Sequence, residues 1–370
     1  MFEVFVDRMR ERGIHAITGV SANPTESAQR YGIAAVERIG GWDSSSPDRL
    51  DRVTRTAQGT PGLLADDDPA HAVIAAIRAS DGVAISGGGN LSSVWPLHIY
   101  ERGAIGRIAS ALGKPLVVSG QTIGPVLTGL EEPVRELLAS ARMVGLREPA
   151  SFQLCQRLGV PEALLEQTVD DASFLVDAPV DTADYCLVTL ANHVGDADRG
   201  AYELAVAGLL DSIAATTGLE IVFGAHFAST DPSLSRGDSV MHDRVAALMT
   251  APVRVAPTTD SVGSATLARN AAFVVSSRYH PVVFAVPAGV PAIGISVDSY
   301  THTKLTGALG NFGQESVLPS TALLAGDGPA LAARVWQSRS DIRERGLAVA
   351  DDARRASAAH WDSVAAVLGA

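Results

Sequence analysis

The chain has 370 residues, 46% of them hydrophobic and 19% charged, and a formal net charge of −12 at pH 7. That length exceeds one ordinary core and predicts two domains, while the negative balance excludes a generally basic nucleic-acid surface. The two cysteines, Cys155 and Cys186, lack CxxC spacing and exclude a disulfide scaffold or structural zinc, and no apolar run reaches a membrane span.

Phe2, Phe5 and Met9 share one helical face ending near Gly13, and residues 14–20 read as a strand. A parallel α/β domain usually opens with a strand, a glycine turn and then a helix. The expectation is therefore a first domain lacking its opening strand, either because the domain begins unusually or, the favoured reading, because the chain starts downstream of its natural start. The N-terminus has no signal-peptide pattern, which points to a cytoplasmic protein. Residues 23–31 read as a helix and 33–36 as an edge strand. Residues 40–67 read as a polar surface insertion with one helix at 50–56, and 69–79 as a helix opened by Pro69.

Residues 83–85 read as a buried strand followed by Gly87, Gly88 and Gly89. Three glycines permit close ligand approach, and Asn90, Ser92 and Ser93 add polar groups. Neither GK[ST] nor GxGxxG follows, so this is no nucleotide phosphate loop; a tight turn is the plainer alternative. A helix at 100–111 and a strand at 115–118 lead to a second glycine-rich strand exit holding Ser119, Gly120, Gln121, Thr122, Gly124 and Pro125. A helix at 131–139 precedes a strand at 142–146. Its exit carries Arg147, either an anion-binding fork or the partner of Glu148, before a helix at 151–158. Residues 169–171 read as a strand end whose carboxylates, Asp170 and Asp171, can orient a cation or a hydroxyl. A Pro/Asp-rich linker at 177–184 sets the boundary, giving an N-terminal domain at 1–177.

The second domain, 178–335, repeats the pattern. Strands are expected at 185–190, 219–223 and 253–255, and helices at 202–216 and 239–249. A further helix ending at Asn270 is capped by Asp260 or Ser261. His193 and His226 follow strands, as cleft residues or as ordinary loop histidines. Residues 272–275 form an apolar run typical of a covered parallel strand. Pro281 suits a first helical turn and disfavours helical geometry at His280, so the break is expected at 277–280, with a helix at 282–288 and a strand from 292. Arg278 and His280 then lie at a strand's carboxyl end beside helix amides, where α/β sheets bind ligands and anions. Extended, they point to one side. Arg278 suits a carboxylate or phosphate, and His280 exchanges protons near neutral pH. Lys304 lies in a helix at 298–309, and residues 336–370 form a helical segment expected to pack across the domains.

Several words of the chain, taken in order, resemble the polysaccharide pyruvyl transferase family: SGGGN from Ser86, GQTIGP from Gly120, REPAS from Arg147, DDASF from Asp170, SRYH from Ser277, AGVPAIGIS from Ala288, and then Lys304. The resemblance spans residues 1–335. It implies two Rossmann-like domains in a GT-B arrangement with the active site between them. It also implies pyruvyl transfer from phosphoenolpyruvate to a sugar, with ketal formation, loss of phosphate and no cofactor or metal. By the same resemblance Arg147 and Arg278 bind the donor and Lys304 matches a frequent lysine of the family; Lys304 and the glycines of the strand exits, Gly87, Gly88, Gly89, Gly120 and Gly124, are placed with the donor site. His280 is the acid candidate. Asp171, which matches an Asp-Pro-Ala-Phe word from which Ala172 and Ser173 depart, is the base candidate. The family's opening glycine turn and Gly-Asp word have no counterpart. Asn90, Trp95, His193 and His226, with His98 and Tyr100, can line the cleft for a glycan or lipid-linked sugar. The competing readings are a GT-B glycosyltransferase using a nucleotide sugar and a non-catalytic glycan- or anion-binding homologue.

Overall fold

Short runs rich in valine, isoleucine and alanine become strands covered on both sides, and the longer alanine-rich stretches become the helices that cover them. The computed structural model describes residues 1–43, 46–176, 178, 180–228 and 234–369. The chain divides into two compact units, Met1–Asp171 with Arg355–Ala370, and Ala172–Arg354. The sequence placed a boundary after residue 177, itself outside the described residues. The final helix, Arg339–Leu368, contributes residues to both units. Among the described residues no helix is long and apolar enough to cross a membrane.

In the first unit β1 (Thr18–Ser21) and β2 (Ala34–Glu37) form a parallel pair of their own. The main sheet holds β3 (Val83–Ile85), β4 (Gly88–Leu91), β5 (Leu116–Ile123), β6 (Met143–Leu146) and β7 (Leu165–Gln167). Its order is β3-β5-β6-β7, with β4 also on β5, and every pairing is parallel. Val73, Ile108, Val118, Val134 and Leu138 lie in its core. The two ends of the chain meet in this unit, where Phe5 packs edge-on against Trp361 and Arg12 pairs with Asp362.

Three expectations change here. Gly88 and Gly89 belong to a strand rather than a loop. Residues 119–123 continue β5 rather than leaving it: Gly120 adopts φ +57°, and the register shifts between Val118 and Gln121, so the glycine marks a bulge inside the strand. Residues 169–171 form no strand, because the ladder partner of β6 is β7.

The second unit is a six-stranded parallel sheet built from β8 (Ala183–Thr189), β9 (Glu220–Phe223), β10 (Val253–Val255), β11 (Ala271–Ser276), β12 (Ala292–Ser296) and β13 (Val317–Pro319). The order β10-β9-β8-β11-β12-β13 reverses direction between β8 and β11. At such a switch the outgoing loops part and leave a crevice at the strands' carboxyl ends. Phe223 and Phe273, both fully buried, anchor this core, each side chain contributing about 1.5–3 kcal/mol of apolar burial.

The turn after β11 also differs from expectation. The helix starts at Tyr279, capped by Arg278, and so includes His280. Pro281 fits at the third helical position because the first-turn amides have no partner within the helix. Arg278 and His280 therefore do not lie in one extended segment.

Candidate active site

The first-unit site is built around a buried carboxylate at the end of the sheet. Gly87 N–H donates to Asp171 Oδ2 (3.2 Å), and Ser119 Oγ donates to Oδ1 (3.1 Å). A Cβ at Gly87 would lie 2.7 Å from Asp171 Oδ2, and one at Gly120 2.5 Å from its Cγ, so both glycines make room for this side chain. Burial, and then the neighbouring Asp170, push the Asp171 carboxyl up to about 6, against His360, Ser119 and the Gly87 amide. At neutral pH it is mainly ionised and still basic enough to take a proton.

Arg147 is only 1% exposed. Its Nε donates to Thr122 Oγ1 (2.8 Å) and its Nη1 to Asp170 Oδ2 (2.6 Å), with Glu148 Oε2 3.6 Å away. The open fork expected at a strand exit is instead enclosed between carboxylates. Burial pushes the Glu148 carboxyl above its usual range, which Arg147 opposes.

Beside Asp171 the sheet presents two side-chain acceptors. Gln121 Nε2 donates to the carbonyls of Ser86 (2.7 Å) and Ser119 (3.3 Å), which fixes the amide's orientation. Its Oε1 and Asn90 Oδ1 are both buried and accept no hydrogen bond among the described residues. Gly88 lies between them: its Cβ would be 3.2 Å from Gln121 Oε1 and 3.3 Å from Asn90 Oδ1. Unsatisfied buried acceptors are costly, and a ligand's hydroxyl groups would satisfy them. Gly89 sits in β4, whereas Gly124, at φ +76°, faces Leu154. Trp95 caps the helix Pro96–Ala111 and sets its exposed ring 6.3 Å from that of His98.

In the second unit the residues after β8, β9, β11 and β12 gather at the carboxyl ends. Arg278 Nε lies 3.1 Å from both oxygens of Asp238, and Nη2 adds a third bond. Asp238 is fully buried, and its Oδ2 also accepts from the amides of His226 (3.1 Å) and Phe227 (3.0 Å). Gly237 makes this turn possible: it adopts φ +63°, and a Cβ there would be 2.1 Å from Phe227 O. The His280 ring lies parallel to that of His226 at 6.2 Å and 5.8 Å from Phe284. Burial pushes His226 down to about 4, with Asp238 opposing and Arg278 adding, so His226 is neutral at pH 7.

Lys304 Nζ sits over the rings of Tyr279 (4.9 Å) and Tyr300 (4.6 Å), a pair of aromatic faces that hold the cation beside the Arg278–His280 turn. His193, mostly exposed, lies 3.5 Å from Asp298, which caps the Lys304 helix. The structure thus brings Arg278, His280, His226 and Lys304 into one cluster, with His193 on its β12 side. Sequence reasoning passed over Asp238, Tyr279 and Tyr300, and named Gln121 only as part of a strand exit. Asp238 stands 40 residues before Arg278, and only the sheet joins them.

Fold and site define an α/β protein of two parallel-sheet units with polar clusters at strand ends, consistent with a GT-B-like pair of Rossmann domains. Arabidopsis thaliana UGT89C1, solved with UDP-L-rhamnose, has a TM-score of 0.58 at 8% identity, covering 99% of this chain and 94% of that one. The UDP-GlcNAc 2-epimerase from Neisseria meningitidis has a TM-score of 0.52 at 10% identity, covering 93% and 95%. At these identities the likeness is one of fold alone. No curated protein matches the chain in sequence. The chain belongs to the polysaccharide pyruvyl transferase family, whose sequence model matches residues 3–299. Membership makes it an enzyme of the pyruvyl-transferring class, acting on sugar hydroxyls. Among the described residues no group of three or more His, Cys, Asp or Glu could hold a metal ion.

Proposed function

We propose that the chain moves a pyruvyl group from phosphoenolpyruvate to two hydroxyls of a sugar in a glycan or lipid-linked precursor, closing a ketal and releasing phosphate. The observation that carries this is the second-unit cluster: an arginine anchored by a buried carboxylate, a lysine on aromatic faces and an imidazole, all at strand ends. Phosphoenolpyruvate is compact and carries a carboxylate and a phosphate. Arg278 pairs with one and Lys304 with the other. His280 delivers a proton to the methylene carbon, making C2 electrophilic. Asp171 takes the proton of the attacking sugar hydroxyl. Asn90 and Gln121 accept from neighbouring hydroxyls, and Trp95 offers a ring face to the sugar. Arg147, bonded to Asp170, holds the acidic segment in place. His226, neutral, steadies the His280 ring, and His193 lies at the edge of the cluster. Gly87 and Gly120 serve by leaving room for Asp171.

The test is to incubate the protein with glycan precursors and phosphoenolpyruvate, and separately with a nucleotide sugar, the ligand class named for the Arabidopsis relative. A product heavier by a pyruvate ketal, with phosphate released, is expected. A product heavier by a hexose, and only with the nucleotide sugar, would overturn the reading.

A further inference from the structure

Three side chains that the proposed reaction does not use line up behind Asp171. Ser119 Oγ lies 3.1 Å from Asp171 Oδ1 and 2.9 Å from His360 Nε2, and His360 Nδ1 lies 2.7 Å from Glu166 Oε2. Ser119 and His360 are buried, whereas the Glu166 side chain is 39% exposed. The line therefore runs from a buried carboxylate to a carboxylate at the surface. It joins β5, β7 and the part of the final helix that belongs to the first unit.

The sheet is hollowed along this path. A Cβ at Gly145 on β6 would lie 2.8 Å from His360 Cε1, just as Gly87 and Gly120 clear space for Asp171. Among the described residues Ser119 links the two ends of the line. It has one hydrogen and can donate toward Asp171 or toward His360, not both at once.

We propose that Ser119, His360 and Glu166 form a relay that exchanges a proton with Asp171, so that Ser119 and His360 are positioning residues for the general base. This rests on Asp171 acting as the base in the proposed reaction. The step balances. Protonated Asp171 gives its proton to Ser119 Oγ as the Ser119 hydroxyl proton passes to His360 Nε2. One O–H bond is lost at Asp171 and one N–H bond forms at His360, while Ser119, which begins with its hydrogen turned toward His360, ends as a neutral hydroxyl whose new hydrogen is turned toward Asp171. The carboxylate is restored, and the imidazolium rests against Glu166. Among the described residues the other charged group that acts on Asp171 is Asp170, next to it in sequence and itself bonded to Arg147. It does not lie on the line.

The test needs no substrate for its first arm. The full chain, with carboxyl-labelled aspartate and nitrogen-labelled histidine, is titrated by NMR. Signals are assigned by their loss in Asp171→Asn and His360→Gln. The relay predicts one shared midpoint for the Asp171 carboxyl and the His360 ring, splitting into two in Ser119→Ala. Independent midpoints in the unaltered chain, or no change in Ser119→Ala, overturn it.

The second arm measures pyruvyl transfer against pH. Ser119→Ala is expected to lower kcat about 10- to 100-fold, less than the roughly 100- to 10,000-fold expected for removing the base itself. KM for phosphoenolpyruvate should not change. The acidic limb should move upward, because the lost hydrogen bond had favoured the carboxylate. A fall in melting temperature with an unmoved pH profile would leave the line as a mere tie for the helix, and the relay would fail. Shared titration without transfer to any glycan would support the relay while counting against the pyruvyl reading. Transfer with uncoupled titration would do the reverse.

Discussion

Asp238→Asn tests whether the second-unit cluster depends on its hidden anchor. The carboxylate is fully buried and accepts four kinds of donor: Arg278 Nε, Arg278 Nη2 and the amides of His226 and Phe227. Asparagine keeps the shape but leaves one acceptor oxygen and turns an NH₂ toward another donor. Removing one partner of a buried ion pair costs about 3–5 kcal/mol. Here the Arg278 side chain is 36% exposed and can turn to water. The expected loss of stability is therefore smaller, about 2–3 kcal/mol, made up chiefly of the stranded amides. The functional loss is separate. An unanchored Arg278 should weaken phosphoenolpyruvate by a large part of what Arg278→Ala costs, about 1.5–3 kcal/mol for a charge-assisted contact. The assay is pyruvyl transfer at varied donor concentration, with a denaturant midpoint as control, on both single variants and the double. In the Arg278→Ala background, Asp238→Asn should leave the donor KM almost unmoved, because the two act through one contact. Additive effects on KM, or a folded Asp238→Asn with unchanged donor dependence, would refute the reasoning.

His280→Ala should fold normally and lose roughly 100- to 10,000-fold in turnover if its ring supplies the proton; near-normal turnover removes it from the mechanism. Gln121→Leu should raise KM for the sugar and leave that for phosphoenolpyruvate unchanged, checked by varying each substrate in turn. Gly120→Ala places a Cβ 2.5 Å from Asp171 Cγ at φ +57°, and a melting curve should show a loss of at least the ~1–3 kcal/mol of backbone strain alone. Asp171→Asn has a pH signature. The native carboxyl, raised to about 6, favours folding below the ordinary aspartate range and loses that contribution as pH rises through about 6. Denaturation at several pH values should show the variant gaining on the native chain between pH 4 and 7, by about 2–3 kcal/mol at most. The comparison cancels His226 and His242, which burial pushes down to about 4 in both proteins.

Strands 83–85 and 253–255 were legible to the residue because apolar runs between turn residues leave little freedom. Arg278 was legible as a cation at a strand end and Lys304 as one in the helix after the next strand, since the strand–turn–helix pattern is local. The turn itself was misread where Pro281 suggested a break, because orphan amides in a first turn tolerate proline and the sequence does not say which residue starts the helix. The run Ser119–Thr122 looked like a loop because glycine usually ends a strand, and only the neighbouring ladders reveal a bulge. Asp238 and His360 were illegible for a different reason. One meets its partner across 40 residues and the other meets Ser119 across 241, and no local pattern carries a distance of that kind.

The first unit is discontinuous, and this gives it a birth order. Residues 355–370 leave the ribosome after the whole of the second unit. They carry the buried Trp361 and Val364, and Leu368 comes close enough to Gly82 to forbid a Cβ there. During synthesis, then, β3 and the helix Phe2–Arg10 wait with apolar surface open while the second sheet is completed. A segment made after the second unit closes the first. His360 arrives with it, so the surroundings of Asp171 become complete only when the tail is in place. A nascent chain halted at residue 354 would hold every residue of the second unit and still lack the wall of the first.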